Sequence, residues 1–300
     1  MAQNNKILIL GGSGYVGRNL FEASGPYRSV ATYNAAPFPG GVYFDSLSMS
    51  LADIINAPEP FSHAVILIGD TKPDSCAADL RKSRDLNVVS IKAILDYLER
   101  QRIKPVFAST EVVFDGTKGN YVESDEVNPL LTYAMQKVEI EGHIQDCFED
   151  FLILRLALVY GSNRGDGTVV TNWMQSIEDG QTSRCASDYI ASPIYIGDAV
   201  EATLQLIDRG PNGIFHLSSH TALSRLQIYE TLLAQVNVHG PVEMQPIPCS
   251  IHDFNTLEKR PLDVSMKPDK LVETIGIKLK SVEEVCRDVV REALQHQECG

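Results

Sequence analysis

Tyr133 and Lys137 stand four residues apart in a segment of helical pattern. Residues at that spacing share one helix face, so a phenol and an ammonium can point into the same cleft. A free tyrosine titrates at about pH 10, and a nearby cation favours the phenolate and lowers that value. The pair is therefore a candidate for moving a proton. Ser109 and Thr110 close the apolar run Pro105–Ala108, one strand-to-helix unit earlier. A hydroxyl there could orient a reacting oxygen, with Thr110 the first candidate and Ser109 in reserve. Tyr-x-x-x-Lys also occurs by chance as an amphipathic Tyr beside a solvated Lys. Its position after a hydroxyl-ended strand favours chemistry, because open parallel sheets gather such residues at strand carboxyl ends.

A second motif supplies a partner for that chemistry. Gly11-Gly12-Ser13-Gly14-Tyr15-Val16-Gly17 follows the apolar run Lys6–Leu10 and precedes a helical pattern. Glycine tolerates the positive φ of a tight strand-to-helix turn. The helix N-terminus beyond it offers free N–H groups to a pyrophosphate. Gly17 would let the helix approach the sheet closely. Gly11, Ser13, Gly14, Tyr15, Val16 and Gly17 are thus candidate dinucleotide contacts. Asn34, Asp45, Ile68 and Gly69, at the ends of later strands, join them, and Lys137 could hold the nicotinamide ribose beside Tyr133. The second strand ends in Tyr33-Asn34, without the carboxylate that binds the ribose hydroxyls of NAD. NADP or NAD is the expected cofactor, with NADPH favoured. Arg18 could pair with a 2′-phosphate or lie solvated. Asp45-Ser46 could contact adenine or form an Asx turn. The two motifs together imply hydride transfer between a nicotinamide and a carbonyl or alcohol carbon.

The elements that must position these groups alternate. Strands are predicted at Lys6–Leu10, Ser29–Tyr33, Val42–Phe44, His63–Ile68, Pro105–Ala108, Phe151–Arg155 and Ile214–Leu217. Helices are predicted at Tyr15–Ala23 and across Ala77–Arg100, where Val88, Ile91, Leu95 and Leu98 recur with helical period. A further helix is expected to open at Asn128-Pro129, as N-cap and first residue, and to carry Tyr133, Lys137, Ile140, Ile144 and Phe148. Later helices are predicted at Val169–Ile177, Leu223–Val236 and Ser281–Gln295. The fold class is α/β, a doubly wound parallel sheet of Rossmann type with a smaller C-terminal lobe. Residues 1–160 are expected to form the dinucleotide-binding domain. Residues 161–300 are expected to form mainly the substrate lobe, with elements returning to the sheet.

Composition narrows the function classes. The chain has 300 residues, enough for one large domain or two joined ones. Its formal net charge of −13 argues against a nucleic-acid surface. No run of about 18 apolar residues suggests a membrane helix. The opening Met-Ala-Gln-Asn-Asn-Lys lacks the basic start of a secretory signal. Six cysteines (Cys76, Cys147, Cys185, Cys249, Cys286 and Cys299) show no zinc-like spacing. They read as reduced thiols of a cytoplasmic protein without a metal cluster.

The motifs resemble the extended short-chain dehydrogenase/reductases from Lys6 to about Val290. Within that superfamily the likeness is greatest to the dTDP-4-dehydrorhamnose reductases. It is carried by Ser109-Thr110-Glu111-Val112-Val113-Phe114-Asp115-Gly116, by Asn128-Pro129-Leu130 and by Tyr133-Ala134-Met135-Gln136-Lys137. Leu154-Arg155, Val159-Tyr160-Gly161, Ile214–Ser218 and Arg260-Pro261-Leu262 also fit. The resemblance implies a Thr110–Tyr133–Lys137 triad, with Tyr133 as general acid, and a 4-keto sugar nucleotide as substrate. It also implies a supporting role for Asn87, weak substrate-side contributions from Ser192-Pro193-Ile194 and Arg260, and a dimer through sheet-flanking helices. The sequence departs from the family at Ile68-Gly69-Asp70, Glu111-Val112 and Leu156-Ala157-Leu158. An NAD-recycling epimerase or dehydratase, or a non-catalytic regulatory subunit like that of methionine adenosyltransferase, would share the same framework.

Overall fold

The structure is a computed structural model that describes residues 6–55 and 61–299. The opening residues 1–5 and the Cys299 side chain lie outside the described residues. β1 (Ile7–Leu10) is buried along its whole length, as its uninterrupted apolar sequence requires. It feeds α1 (Tyr15–Ser24), β2 (Ser29–Tyr33) and β3 (Gly41–Tyr43). The chain then crosses to β4 (His63–Ile66).

The helical pattern predicted across Ala77–Arg100 is real, but it does not form one helix. The segment divides into α2 (Pro73–Ala78), α3 (Leu80–Arg84), a π-turn at Asp85–Val89 and α4 (Ser90–Gln101). Asp79 makes the break. Its backbone leaves the helical region at φ −136°, and its carboxylate caps α3 by accepting from the Lys82 N–H at 3.0 Å. Val88, Ile91, Leu95 and Leu98 still face inward against Leu8, Leu10, Ile66 and Phe107 of the sheet.

β5 (Lys104–Thr110) is buried throughout and leads to α5 (Thr132–Cys147). The expected helix start at Asn128-Pro129 is not observed. The Asn128 N–H turns back to the Val113 carbonyl at 3.0 Å, and Leu131 is the N-cap. β6 (Leu152–Leu156), α6 (Ile196–Arg209) and β7 (Gly213–Leu217) complete the framework. The sheet order is β7-β6-β5-β4-β1-β2-β3. The pairs β1/β2, β1/β4, β2/β3 and β4/β5 are parallel. The winding reverses between β1 and β4, so the crevice for a ligand opens at the carboxyl ends of those strands. The Rossmann-type fold is as expected.

The chain divides into two compact units. The first takes residues 1–113, 127–155 and 200–215, and the second takes 114–126, 156–199 and 216–300. The second unit's core joins helices Val169–Glu178, Arg225–Asn237 and Val282–Cys299. Trp173 meets Tyr229 edge-on there, with ring centroids 5.3 Å apart. The three late helices expected from the sequence are present. The first residues of the predicted Leu223–Val236 helix instead form a short strand, and Ser224 caps the helix that begins at Arg225.

In the first unit, one exposed-side cluster ties the broken helices to α5. The Glu139 carboxylate of α5 accepts from Arg84 at 2.7 and 3.0 Å and from Lys92 at 2.8 Å. The hydrogen bonds from Arg84, then those from Lys92, hold its pKa at about 2, below the ordinary 4.5. A depressed carboxylate stabilises the fold above its unfolded pKa and loses that contribution as pH falls through its folded one. Glu139→Gln is therefore expected to lower the urea midpoint at pH 7. The gap from wild type should close as pH drops from about 4.5 toward 2, and a gap that stays constant would exclude this titration.

Candidate active site

The carboxyl end of β5 and the first turns of α5 bring three predicted polar side chains together in the interior. Thr110, Tyr133 and Lys137 are all buried, and a side-chain hydrogen bond joins Thr110 to Tyr133. The Lys137 Nζ donates to the Ala108 carbonyl at 2.7 Å and lies 4.5 Å from the Phe107 ring centroid. It also lies 5.8 Å from the centroid of the Tyr133 ring. The three predicted residues thus meet at one strand end. Ser109 points elsewhere, and its hydroxyl donates to Glu141 at 2.5 Å.

Glu141 is a residue that the sequence reading missed. It lies four positions beyond Lys137 on the same helix face, so its spacing was the available signal. Both its oxygens accept from Arg155 of β6, at 3.1 and 2.7 Å. Glu141 and Arg155 are each at most 3% exposed. The pair fastens α5 to β6 while Ser109 fastens it to β5, which fixes the height of Lys137 beside Ala108.

Electrostatics differ from the sequence expectation in one respect. Burial lowers Lys137 to about 8, and the negative Glu141 opposes that shift. Burial also raises Tyr133 well above its ordinary value, against the lowering effect of the Thr110 hydrogen bond. The ammonium was expected to pull the phenol down. Instead, desolvation prevails, because an unpaired phenolate would be costly in this interior. The phenol therefore holds its proton at neutral pH.

The glycine-rich turn lies at the same sheet edge. Gly11 has φ +96°, and a Cβ there would meet the Leu67 carbonyl carbon at 3.0 Å and the Ile68 nitrogen at 3.1 Å. A Cβ on Gly17 would lie 2.3 Å from the Gly11 oxygen, so Gly17 is required for the turn to close on α1. Gly14 is different. Its Cβ would make only an ordinary contact, 3.4 Å from the Gly11 oxygen, so the fold alone does not demand glycine there. Gly14 is also the N-cap of α1, which has no side-chain cap and no acidic residue in its first turn. Ser13, Tyr15 and Val16 complete a helix start whose N–H groups and dipole suit an anion. These residues fit a dinucleotide pyrophosphate.

Asn34 follows β2 and is exposed. Asp45 follows β3, where its carboxylate accepts from the Leu47 N–H and the Ser48 hydroxyl, so it forms the Asx turn. Ile68 and Gly69 follow β4. Gly69 has φ +149°, and its Cβ would meet the Asn87 Oδ1 at 2.9 Å. Asn87 sits in the π-turn, a feature that recurs at functional sites. It accepts from the Asp70 N–H at 2.7 Å and donates to the Asp70 carbonyl at 3.0 Å. It also donates to the Gln136 Oε1 of α5 at 2.8 Å. The loop after β4 is thereby tied to the helix that carries Tyr133. Ser192 and Arg260 belong to the second unit. A cavity of about 890 Å³ lies along Ser46–Leu51 and the outer faces of α3 and α4, and none of the three polar residues lines it. Among the described residues no helix is long and apolar enough to cross a membrane, and no group of side chains could hold a metal ion.

Similarity to known proteins fits this arrangement. Residues 5–295 match the RmlD substrate binding domain family. The chain belongs to that family. It is accordingly an extended short-chain dehydrogenase/reductase, as the motifs suggested. The chain is 30% identical to the spore coat polysaccharide biosynthesis protein SpsK of Bacillus subtilis, over 81% of this chain and 86% of that one. It is 24% identical to a dTDP-4-dehydrorhamnose reductase of Aggregatibacter actinomycetemcomitans, over 91% and 94% of the two chains. It shares its fold with a dTDP-4-dehydrorhamnose reductase from Bacillus anthracis in complex with NADP. That likeness has a TM-score of 0.81 at 19% identity and covers 98% of this chain and 100% of that one.

The Glu141–Arg155 pair gives a direct test of how this RmlD-family site is supported. Arg155→Met leaves a buried carboxylate without its cation and is expected to cost about 3–5 kcal/mol. Adding Glu141→Leu should recover most of that loss, because two apolar residues need no pairing. Urea unfolding of the single and double variants measures both. Equal stability of Arg155→Met and wild type would show that the pair does not hold the helix.

Proposed function

We propose that this RmlD-family protein reduces the ketone of a 4-keto sugar nucleotide with NADPH or NADH. The carrying observation is the buried Thr110–Tyr133–Lys137 cluster at the same sheet edge as an uncapped helix N-terminus. The names of its relatives support the sugar-nucleotide class. When bound, the reduced nicotinamide supplies hydride to the ketone carbon. Gly11, Ser13, Gly14, Tyr15, Val16 and Gly17 would hold the pyrophosphate. Asn34, Asp45, Ile68 and Gly69 would border the adenosine and nicotinamide ends.

Tyr133 gives its proton to the substrate oxygen as that oxygen becomes an alkoxide. The phenol still holds its proton at neutral pH, so it is available to the alkoxide as that base develops. Thr110 hydrogen-bonds the same oxygen and fixes its approach to the phenol. Lys137 stays charged at neutral pH, holds ribose hydroxyls and stabilises the phenolate left behind. The scattered cysteines support a cytoplasmic setting, where nicotinamide cofactors and sugar nucleotides are available, and the superfamily's habit supports a homodimer.

Purified protein mixed with NADPH or NADH and a panel of 4-keto sugar nucleotides should oxidise the cofactor with at least one of them. Retained NAD and no net oxidation would support the epimerase reading instead. Tyr133→Phe should lower turnover by roughly 10²–10⁴-fold while cofactor affinity stays near wild type. Unchanged turnover would remove Tyr133 from the reaction.

The pH profile tests Lys137 separately. Its charge is complete below its pKa of about 8 and is lost above it. The kcat/KM for reduction should therefore fall as pH rises through about 8. Lys137→Met should be slower and lack that limb.

A further inference from the structure

The geometry points to Arg18, braced on Phe38, as a subsite for the 2′-phosphate of the cofactor, which makes this enzyme select NADPH over NADH. The inference rests on the dinucleotide reading above and adds a chemical preference to it. Arg18 lies in the first turn of α1, where its N–H donates to the Gly14 carbonyl at 2.8 Å. Its guanidinium carbon lies 3.9 Å from the centroid of the Phe38 ring. Phe38 is 8% exposed and cannot move freely. It meets Tyr33, the last residue of β2, with ring centroids 6.2 Å apart, and Phe21 of α1 at 5.6 Å. A Cβ on Gly12 would lie 3.3 Å from the Phe38 Cζ, so the ring also backs onto the glycine-rich turn.

Phe38 therefore fixes a cation between two landmarks, the turn for the pyrophosphate and the end of β2. In a doubly wound dinucleotide site the adenine ribose lies at the end of that second strand. An acidic residue there binds the ribose hydroxyls of NAD and repels a phosphate. This chain has Asn34 instead. A guanidinium stacked on an aromatic face keeps its N–H edge open, and that edge matches a phosphate in two-point fashion. The competing partner is weak: Glu22, itself largely exposed, sits 4.0 Å from the Arg18 Nη1. Such an i,i+4 pair yields readily to a dianion.

The test is direct binding, followed by nicotinamide fluorescence or calorimetry with the full-length protein. Wild type should bind NADPH more tightly than NADH. Arg18→Ala should weaken NADPH by about tenfold or more, the loss expected for a charged hydrogen bond, and change NADH by less than about twofold. Arg18→Lys should fall between, because it keeps the charge and loses the flat two-point edge. Competition by adenosine 2′,5′-bisphosphate and by 5′-AMP reports the same preference without the nicotinamide, and Arg18→Ala should weaken only the bisphosphate. Equal weakening of NADPH and NADH, or no change in either, overturns the subsite while the dinucleotide reading stands. Failure of wild type to bind either cofactor overturns both. Circular dichroism of each variant separates a lost subsite from a lost fold.

Discussion

The Lys137 ammonium, buried against the Ala108 carbonyl, is the interaction on which the site depends. A charge taken out of water in this way survives only with fixed partners. One partner is the carbonyl at the end of β5. The other is the field of Glu141, one turn along α5. Glu141 is itself tolerable only because Arg155 pairs with both its oxygens and Ser109 donates to it. The chain of requirements runs from β6 through α5 to β5. Each link offsets the cost of burying the group before it.

α5 is consequently a helix with three working faces. One presents Tyr133, Lys137 and Glu141 to the strand ends. A second presents Gln136, which binds Asn87 at 2.8 Å and Ser83 at 2.9 Å. The third presents Glu139 to Arg84 and Lys92. Its apolar anchoring comes from Ile140 and Ile144 in the sheet-side core. This division explains why hydrophobic period alone describes the helix poorly. Much of its buried surface is polar, and polar partners locate it with more directional precision than apolar packing does.

The fold was legible wherever burial left a periodic trace. β1 and β4 read as apolar runs, and α4 read through Ile91, Leu95 and Leu98. The features that stayed hidden depended on partners distant in sequence. The break at Asp79 is a local cap, but the π-turn after it brings Asn87 to Asp70 and Gln136, and no spacing rule predicts that meeting. α5 starts at Thr132 rather than at Asn128, whose N–H instead bonds the distant Val113 carbonyl. The site showed the same division. Tyr133, Lys137 and Thr110 announced themselves by spacing and strand position. Glu141 had only its four-residue spacing from Lys137 and Arg155 only its place in a family dipeptide, and neither signal shows that the two pair. The raised Tyr133 likewise needed three dimensions, because burial outweighed the cation four residues away.

Gly69 shows how a departure from the family pattern can be read physically. The backbone there takes φ +149°, which side-chain-bearing residues rarely adopt, and Asn87 fills the space a Cβ would need. The same Asn87 amide then holds both backbone groups of Asp70. A small residue at 69 and a long-armed amide at 87 are therefore one device. Together they set the path of the loop after β4 against the Gly11 turn, whose own Cβ position is occupied by Leu67 and Ile68. The loop's unusual sequence thus preserves the close backbone approach that a crevice at the β1/β4 reversal requires. The cofactor framework and the substituted loop are compatible for that reason.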